Sequence, residues 1–193
     1  MTGKRESKKR AVRKALYEAA VQLIERDGYD AVSVDQIVAI AGVAKGTFFN
    51  HFPGKADLLA DWYRQAMQDG LEIDLSGIRS LPEQWLALAR ASVQGAAASP
   101  NMWSAKAEQA PSTPSIQAAE REVDVALLDR MTGLAASAAF DRPVDAAGLA
   151  DLAVTLVTGS IREAQVTGQA EALDGRMASR LRSLCRLAGY TGP

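Results

Sequence analysis

The sequence has little of the chemistry that catalysis and metal binding require. Its 193 residues include a single cysteine, Cys185, which excludes a disulfide within the chain and suits a reducing cytosol. His51 is the only histidine. Without a second histidine, a nearby cysteine or clustered carboxylates, it supports neither a metal site nor a catalytic dyad. A glycine-rich phosphate loop is also missing. We therefore expect no catalytic residues, no metal and no cofactor.

Long apolar runs are missing as well. No segment approaches the ~20 apolar residues that a membrane-spanning helix needs. The basic N-terminus is not followed by the apolar stretch of a secretory signal. We find neither convincing strand alternation nor an internal repeat. These absences favour a cytoplasmic, all-α protein, and the length suffices for a buried core in one or two domains.

The net charge of −1 is small but unevenly distributed. Residues 1–55 contain ten Lys or Arg against six Asp or Glu, which leaves −5 for the remainder. The segment 1–10, MTGKRESKKR, is so polar that we expect it to be disordered alone. Two compatible interpretations remain for it. It is a solubilising tail, or it is an arm that lies along DNA phosphates or enters a minor groove.

The stretch 33–55 predicts a helix, a tight turn, a second short helix and the start of a third. Ser33 is placed to cap the first helix, with Gln36 three residues on as a capping box requires. Gly42 follows the apolar residues of that helix, where a helix end favours a residue that tolerates positive φ. The second helix carries small and basic side chains on one side and two phenylalanines on the other. This arrangement is typical of a DNA-binding helix-turn-helix.

The same stretch resembles the TetR family of transcriptional regulators. The residues that carry the resemblance recur at the family's fixed offsets: Ile37, Val38, Ala41, Gly42, Val43, Ala44, Gly46, Phe49, His51, Phe52, Lys55 and Leu58. The chain departs from the family pattern at three of these positions. Ala44 replaces a Ser that would cap the second helix, Phe49 replaces a Tyr, and Val38 replaces a smaller Ala.

The resemblance implies a set of DNA contacts within this stretch. Lys45, Thr47 and Asn50 are expected to face the groove, and His51 and Lys55 to contact phosphates. The complete expected set is Ser33, Lys45, Gly46, Thr47, Phe49, Asn50, His51 and Lys55.

Apolar spacing predicts helices along the rest of the chain as well. They cover residues 8–27 before the helix-turn-helix and 55–70, 82–98, 100–109, 114–138, 145–167 and 174–188 after it, with a loop at 110–115. The resemblance implies an all-α fold of about nine helices. Residues 1–54 would form the DNA-binding domain, and residues 55–193 would form a helical domain that binds a ligand and dimerises.

Apolar and aromatic residues on the middle helices lie where this family builds its ligand cavity, although each of them could simply fill the core. The expected ligand-binding residues are Trp62, Met67, Trp85, Met102, Trp103 and Ile116. The family's four-helix dimer interface would use the last two helices, which could also be ordinary core. The expected interface residues are Leu149, Leu152, Leu156, Ile161, Met177, Leu181 and Leu184. Cys185 is interpreted as an unreactive core thiol.

These patterns together predict a homodimeric DNA-binding regulator and not an enzyme. The expected partners are a near-palindromic double-stranded operator and a small hydrophobic ligand, without a membrane. In the mechanism implied by the family, the protein is a repressor that a mostly apolar small molecule releases from its operator. Two alternatives remain open: a regulator that needs no ligand, and a helical enzyme or small-molecule carrier. The latter would need a convergent polar set in residues 55–193, and we find none.

Overall fold

The computed structural model describes residues 2–193, and of residues 2–4, 93, 95–97, 165 and 170 it describes the backbone course alone. Over these residues the fold is all-α, as predicted, with nine α-helices and one isolated bridge between Phe140 and Tyr190. The helices are α1 (Thr2–Asp27), α2 (Val34–Ala41), α3 (Lys45–Phe49), α4 (Lys55–Leu71), α5 (Leu81–Ala97), α6 (Pro100–Gln109), α7 (Pro114–Ala136), α8 (Ala146–Thr167) and α9 (Leu173–Leu187). Within the described chain, no helix is long and apolar enough to cross a membrane.

Two of the local predictions were wrong. Helix α1 begins at Thr2 and not near residue 8, so residues 2–10 form its first turns. Lys, Arg and Glu are good helix formers, and a packed helix extends easily into such a segment because only its nucleation is unfavourable. The expected loop at 110–115 is instead a 3₁₀ turn, Ala110–Ser112, directly before α7. The Gln117 amide holds this turn by donating to the carbonyls of Ala110 and Pro111 at 3.0 and 3.2 Å.

The chain folds into two compact units. The first unit runs to Ala66 and includes Ala96–Arg121, and the second comprises Met67–Gly95 and Glu122–Pro193. Helices α4, α5 and α7 contribute to both, so the compact units follow packing and not the order of the chain. The functional division at 54/55 concerns what each part binds, and it stays a prediction.

The core of the first unit contains the apolar residues that the periodicity of α1 to α3 singles out. Six apolar residues of these helices and of the turn after α3 are buried, and Val43 is half-buried. The six are Leu16, Ala20, Leu23, Ile37, Phe48 and Phe52. Removing each larger side chain from water contributes about 1.5–3 kcal/mol to folding.

Helices α1 and α6 are joined by a reciprocal pair of hydrogen bonds. The Glu25 carboxylate accepts from the backbone N–H of Met102 at 2.8 Å, and the Asn101 amide donates to the Glu25 carbonyl at 2.9 Å. The N-cap residue Ser99 makes no side-chain bond to α6. A side chain from α1 therefore supplies the cap that the local sequence of α6 does not.

The second unit is built around Trp85, whose side chain is completely buried. Its indole N–H donates to the Met131 carbonyl at 3.1 Å, which satisfies its one polar atom. Cys185 is buried in the same core, and desolvation raises the pKa of its thiol to about 11. A thiol that stays protonated at neutral pH is unreactive, in agreement with the interpretation from sequence.

Candidate DNA-binding surface

Helix α2 is fixed at both ends by its own sequence. The Gln36 backbone N–H donates to the Ser33 hydroxyl at 3.2 Å, and the Gln36 side chain accepts from the Ser33 backbone N–H at 2.7 Å. Gly42 ends the helix with φ of 66°, in the left-handed region that favours glycine. The predicted capping box and the glycine turn are both confirmed, and they set where α3 begins.

Helix α3 is short and lacks a side-chain cap. Ala44 occupies the N-cap position in an extended conformation and makes no side-chain hydrogen bond, as its departure from the family's Ser predicts. Aromatic packing against the core holds the helix in place. Phe48 and Phe52 are buried with their ring centroids 5.7 Å apart, and Phe49 meets Phe48 edge-on at 5.3 Å. Packing therefore compensates for the missing cap.

The outer side of this helix-turn-helix presents both apolar and charged groups to solvent. Phe49 is 51% exposed and Ile40 is 50% exposed, although both are large hydrophobic residues. Lys45 is exposed and pairs across the turn with Asp35, with its Nζ 2.9 Å from the carboxylate. Lys45, Gly46 and Asn50 are thus accessible, while Thr47 is half-buried. Ser33 is exposed but engaged in the cap.

Arg13 of α1 fixes the junction between α3 and α4. Its guanidinium lies 4.2 Å from the centroid of the Phe52 ring, donates to the His51 carbonyl at 2.5 Å and pairs with Asp61. One cation thus holds an aromatic face, a backbone carbonyl and a carboxylate. Its partners lie 38 and 48 residues away along the chain. No local sequence pattern indicates such contacts, so the role of Arg13 is visible only in the folded structure.

His51 lies half-buried at the same junction. Partial burial and the positive charges of Arg13 and Lys9 hold the pKa of its imidazole below the ordinary value of 6.5. The imidazole is therefore mostly neutral at pH 7 in the free protein. A phosphate near it would stabilise the protonated form, so His51 can respond to a bound polyanion.

Lys55, at the start of α4, is engaged within the protein. Its ammonium donates to the carbonyls of Tyr29 and Val32 at 2.5 and 2.7 Å and lies 3.8 Å from the centroid of the Tyr29 ring. Burial lowers the pKa of this ammonium, and nearby Asp30 opposes that shift. These contacts tie the α1–α2 connection to α4. The phosphate contact expected of Lys55 remains a prediction.

Residues 16–61 match the family model described as "Bacterial regulatory proteins, tetR family". The matched segment contains Arg13's partner Asp61, the whole of α2 and α3 and the buried phenylalanines. Over this segment the chain is similar to regulatory proteins of the tetR family.

Two curated relatives match a limited stretch of this chain. The Transposon Tn10 TetC protein of Escherichia coli is 42% identical over 53 residues, which are 28% of this chain and 27% of that protein. The Fatty acid metabolism regulator protein of Bacillus subtilis (strain 168) is 35% identical over 57 residues, which are 30% of this chain and 29% of that protein. The chain therefore spans less than a third of the length of these relatives.

The fold likeness extends over nearly the whole chain. The crystal structure of the transcriptional regulator FadR from Bacillus subtilis in complex with stearoyl-CoA superposes with a TM-score of 0.66 at 20% identity. The likeness covers 89% of this chain and 96% of that one. At that identity it shows that the two chains share the all-α fold with an N-terminal helix-turn-helix.

The expected ligand residues are divided between the two units. Trp62, Met102, Trp103 and Ile116 belong to the first, where the Trp62 and Trp103 rings lie 6.3 Å apart. Met67 and Trp85 are buried residues of the second. A surface depression of about 360 Å³ in the first unit contains none of the six. Its lining is Asp27, Gly28, Tyr29, Asp30, Ala31, Asn101, Ser104, Ala105 and Glu108.

The expected dimer residues differ in their burial within the protomer. Leu149, Met177 and Leu181 are core residues of the second unit. Leu156, Ile161 and Leu184 are half-buried, and Leu152 is 53% exposed. In addition, Val166 and Leu187 are exposed large apolar residues of α8 and α9 that the sequence analysis did not select. Among the predicted residues, Leu152 is thus the one most available to a partner.

Proposed function

We propose that this chain is a DNA-binding transcriptional regulator that inserts α3 into the major groove. The observation that supports this most directly is the α2–α3 unit itself. It is capped by Ser33 and Gln36, underpinned by Phe48 and Phe52, and lies in the segment matched by the family model. The family model describes bacterial regulatory proteins and not enzymes. Residues 1–54 carry this role, and the protein acts in the cytoplasm.

The exposed groups of the α2–α3 unit divide between bases and phosphates. Lys45, Thr47 and Asn50 are assigned to base edges, where lysine and asparagine donate to guanine and adenine. Phe49 and Gly46 allow close approach, and the exposed ring of Phe49 suits a thymine methyl group. Ser33, His51 and Lys55 are assigned to the phosphate backbone. The α1 extension, with exposed basic residues such as Lys8 and Arg10, adds sequence-independent attraction.

The protein acts as a two-fold dimer through α8 and α9 on a near-palindromic operator. Two copies of α3 then enter successive major grooves about 34–36 Å apart. Residues 55–193 form the dimer and hold a mostly apolar small molecule. Similarity to the Fatty acid metabolism regulator protein of Bacillus subtilis, and to the FadR structure from that organism with stearoyl-CoA, supports a ligand of this character.

The small molecule releases the protein from its operator, which makes the protein a repressor. A ligand changes operator affinity only by its differential affinity for the bound and free conformations. The coupling is reciprocal, so the operator must weaken the ligand by the same factor. If the protein instead needs no ligand, its operator affinity should be the same in the presence and absence of every compound screened.

The test is selection of operator DNA by the purified full-length protein from fragments of its own genome. We expect one near-palindromic sequence to be enriched. Thr47→Ala should change the preference at one base pair. Val125→Ala is the matched control, since Val125 is an exposed apolar residue of α7 in the second unit. Recovery of random fragments by the wild-type protein, or identical sequence preferences for Thr47→Ala and wild type, would reject the assignment of α3.

A further inference from the structure

A buried cation lies among aromatic rings in the first unit. Lys106 of α6 is only 7% exposed. Its Nζ donates to the Glu120 carboxylate of α7 and lies 4.2 and 5.3 Å from the ring centroids of Tyr63 and Trp103. Lysine is almost never this buried unless it is paired. The position therefore combines one charge, one exchangeable partner and two aromatic faces.

This arrangement is an unusual way to fill a helical core. Taking an ammonium and a carboxylate out of water costs several kcal/mol per ion, and well-packed apolar residues often stabilise such a position as well or better. The aromatic faces offset part of this cost by attracting the cation. Stability alone thus does not require Lys106, whereas a fixed, desolvated cation is well suited to bind an anion.

The two members of the ion pair are unequally buried. The Lys106 side chain is 8% exposed, but that of Glu120 is 34% exposed. The Glu120 carboxylate can turn toward water at the cost of a rotamer change. The Lys106 ammonium cannot, because it is buried against the Tyr63 and Trp103 rings. An entering anion can therefore replace Glu120 and keep the Lys106 charge paired.

The residues one turn away on the same helices are apolar. Met102 lies four residues before Lys106 on α6, and Ile116 lies four residues before Glu120 on α7, so each shares a helix face with its charged neighbour. Both are completely buried, and the Trp62 and Trp103 rings lie 6.3 Å apart in the same unit. An anion that reaches Lys106 would thus find apolar contacts for an attached hydrocarbon.

We propose that Lys106 is the anion-binding group of the effector site, and that the effector is an apolar molecule with one carboxylate, which takes the place of Glu120. This inference rests on the proposed function in assigning the site to the effector. The opposite chemistry, an organic cation that displaces the Lys106 ammonium from Tyr63, Trp103 and Glu120, is an outcome of the same test.

The test compares three ten-carbon probes that differ only in their head group: decanoate, decanol and decyltrimethylammonium. Binding to the full-length protein is measured by tryptophan fluorescence and calorimetry, below the critical micelle concentration of each probe. We expect decanoate to bind at least about tenfold more tightly than decanol, since a hydrogen bond to a charged group typically has that effect. Equal binding of the two, tightest binding of the cation, or no binding of any probe would overturn the proposal.

Variants of Lys106 and Glu120, with a matched pair of control variants, test whether the decanoate preference arises at this ion pair. Lys106→Met should reduce decanoate affinity to that of decanol, and Glu120→Gln should tighten decanoate several-fold by removing its competitor. Arg182→Met and Glu83→Gln alter an exposed ion pair of the second unit, 3.1 Å apart, and should change neither. Persistence of the decanoate preference in Lys106→Met would reject the site. If that variant does not fold, as judged by circular dichroism, the Glu120→Gln result decides.

Operator binding is measured separately in the same samples. Decanoate that binds through Lys106 but leaves the operator complex intact would refute the release mechanism and leave the anion site standing. Head-group selectivity that is lost while operator binding is normal would refute the anion site alone. The two proposals therefore fail independently.

Discussion

At the scale of single residues, Asp35 forms an ion pair with Lys45, which we expect to contact DNA. Both are exposed, so their ion pair at 2.9 Å adds at most about 1 kcal/mol to folding. The carboxylate nevertheless neutralises Lys45 and places a negative charge beside the expected path of the phosphates.

We predict that Asp35→Asn tightens binding to all DNA sequences without altering the thermal midpoint by more than a degree or so, since exposed pairs contribute little. The slope of log affinity against log salt should steepen by about one unit, because the surface near the DNA loses one negative charge. Fluorescence anisotropy over a salt series measures both quantities. Asp151→Asn, which removes an equally exposed charge in the second unit, is the control. A steeper slope in that control as well would mean that only net charge matters.

We expect His51 to make DNA binding stronger, and folding less stable, as the pH falls. Burial and the charges of Arg13 and Lys9 hold the pKa of the folded-state imidazole below 6.5. As the pH falls through this range the unfolded chain takes up the proton first, so His51 lowers the free energy of unfolding there. A phosphate at the imidazole raises its pKa again, so the DNA complex takes up a proton.

We therefore predict that operator affinity increases as the pH falls from about 8 to about 6, by at most about tenfold per pH unit for one proton. His51→Gln should remove most of this dependence while stability at pH 8 is unchanged. The measurement is operator affinity at constant ionic strength across the range. A wild-type affinity that does not change with pH would contradict an imidazolium–phosphate contact.

At the scale of elements, Lys55 connects three helices. Its ammonium joins the carbonyls of Tyr29 and Val32, in the α1–α2 connection, to the start of α4. The register between α1 and the helix-turn-helix therefore depends on a side chain from a third helix.

We predict that Lys55→Ala lowers the free energy of unfolding by about 2 kcal/mol, because two carbonyls lose a charged donor. Denaturant unfolding of the full-length protein measures this change. The exposed Lys8→Ala should instead leave stability unchanged and reduce the salt dependence of DNA binding by about one unit. If Lys55→Ala reduces the salt dependence of DNA binding but leaves stability unchanged, then the internal hydrogen bonds of Lys55 contribute little to folding.

At the scale of the whole molecule, the leucines of α8 and α9 differ in exposure. A buried leucine is needed for the protomer to fold, whereas an exposed one is available for dimer assembly. Leu181 is completely buried in the second unit, whereas Leu152 is 53% exposed in the protomer. An arginine at each position therefore tests a different property.

We predict that Leu152→Arg gives a folded monomer with much weaker operator binding, since only a dimer interface would desolvate that position. Leu181→Arg should unfold the second unit, because an unpaired charge in a core costs roughly 3–5 kcal/mol. Val125→Arg, at a comparably exposed site on α7, should remain dimeric. Sedimentation velocity and thermal melting give the readouts. A Leu152→Arg protein that stays dimeric would place the interface elsewhere.

Much of the helix-turn-helix follows from sequence because its determinants are local. The capping box spans Ser33 to Gln36, the turn depends on Gly42, and the lost cap depends on Ala44 alone. Such interactions join residues within one helical turn, so spacing along the chain suffices to predict them. Helical periodicity likewise identified Phe48 and Phe52 as core, because a helix that packs on one side must bury that side.

Only the tertiary structure decided what the charged side chains do. Arg13 pairs with Asp61, and Lys55 donates to the Tyr29 carbonyl. Lys106 pairs with Glu120 and contacts the Tyr63 ring. These partners lie between 14 and 48 residues apart, and their meeting depends on how helices pack, which no local pattern encodes. The same holds for Leu152 and Leu181, which have the same residue type on amphipathic helices yet opposite exposure. The sequence thus determined the helices and the turn, and the packing of helices determined which side chains remain free to bind.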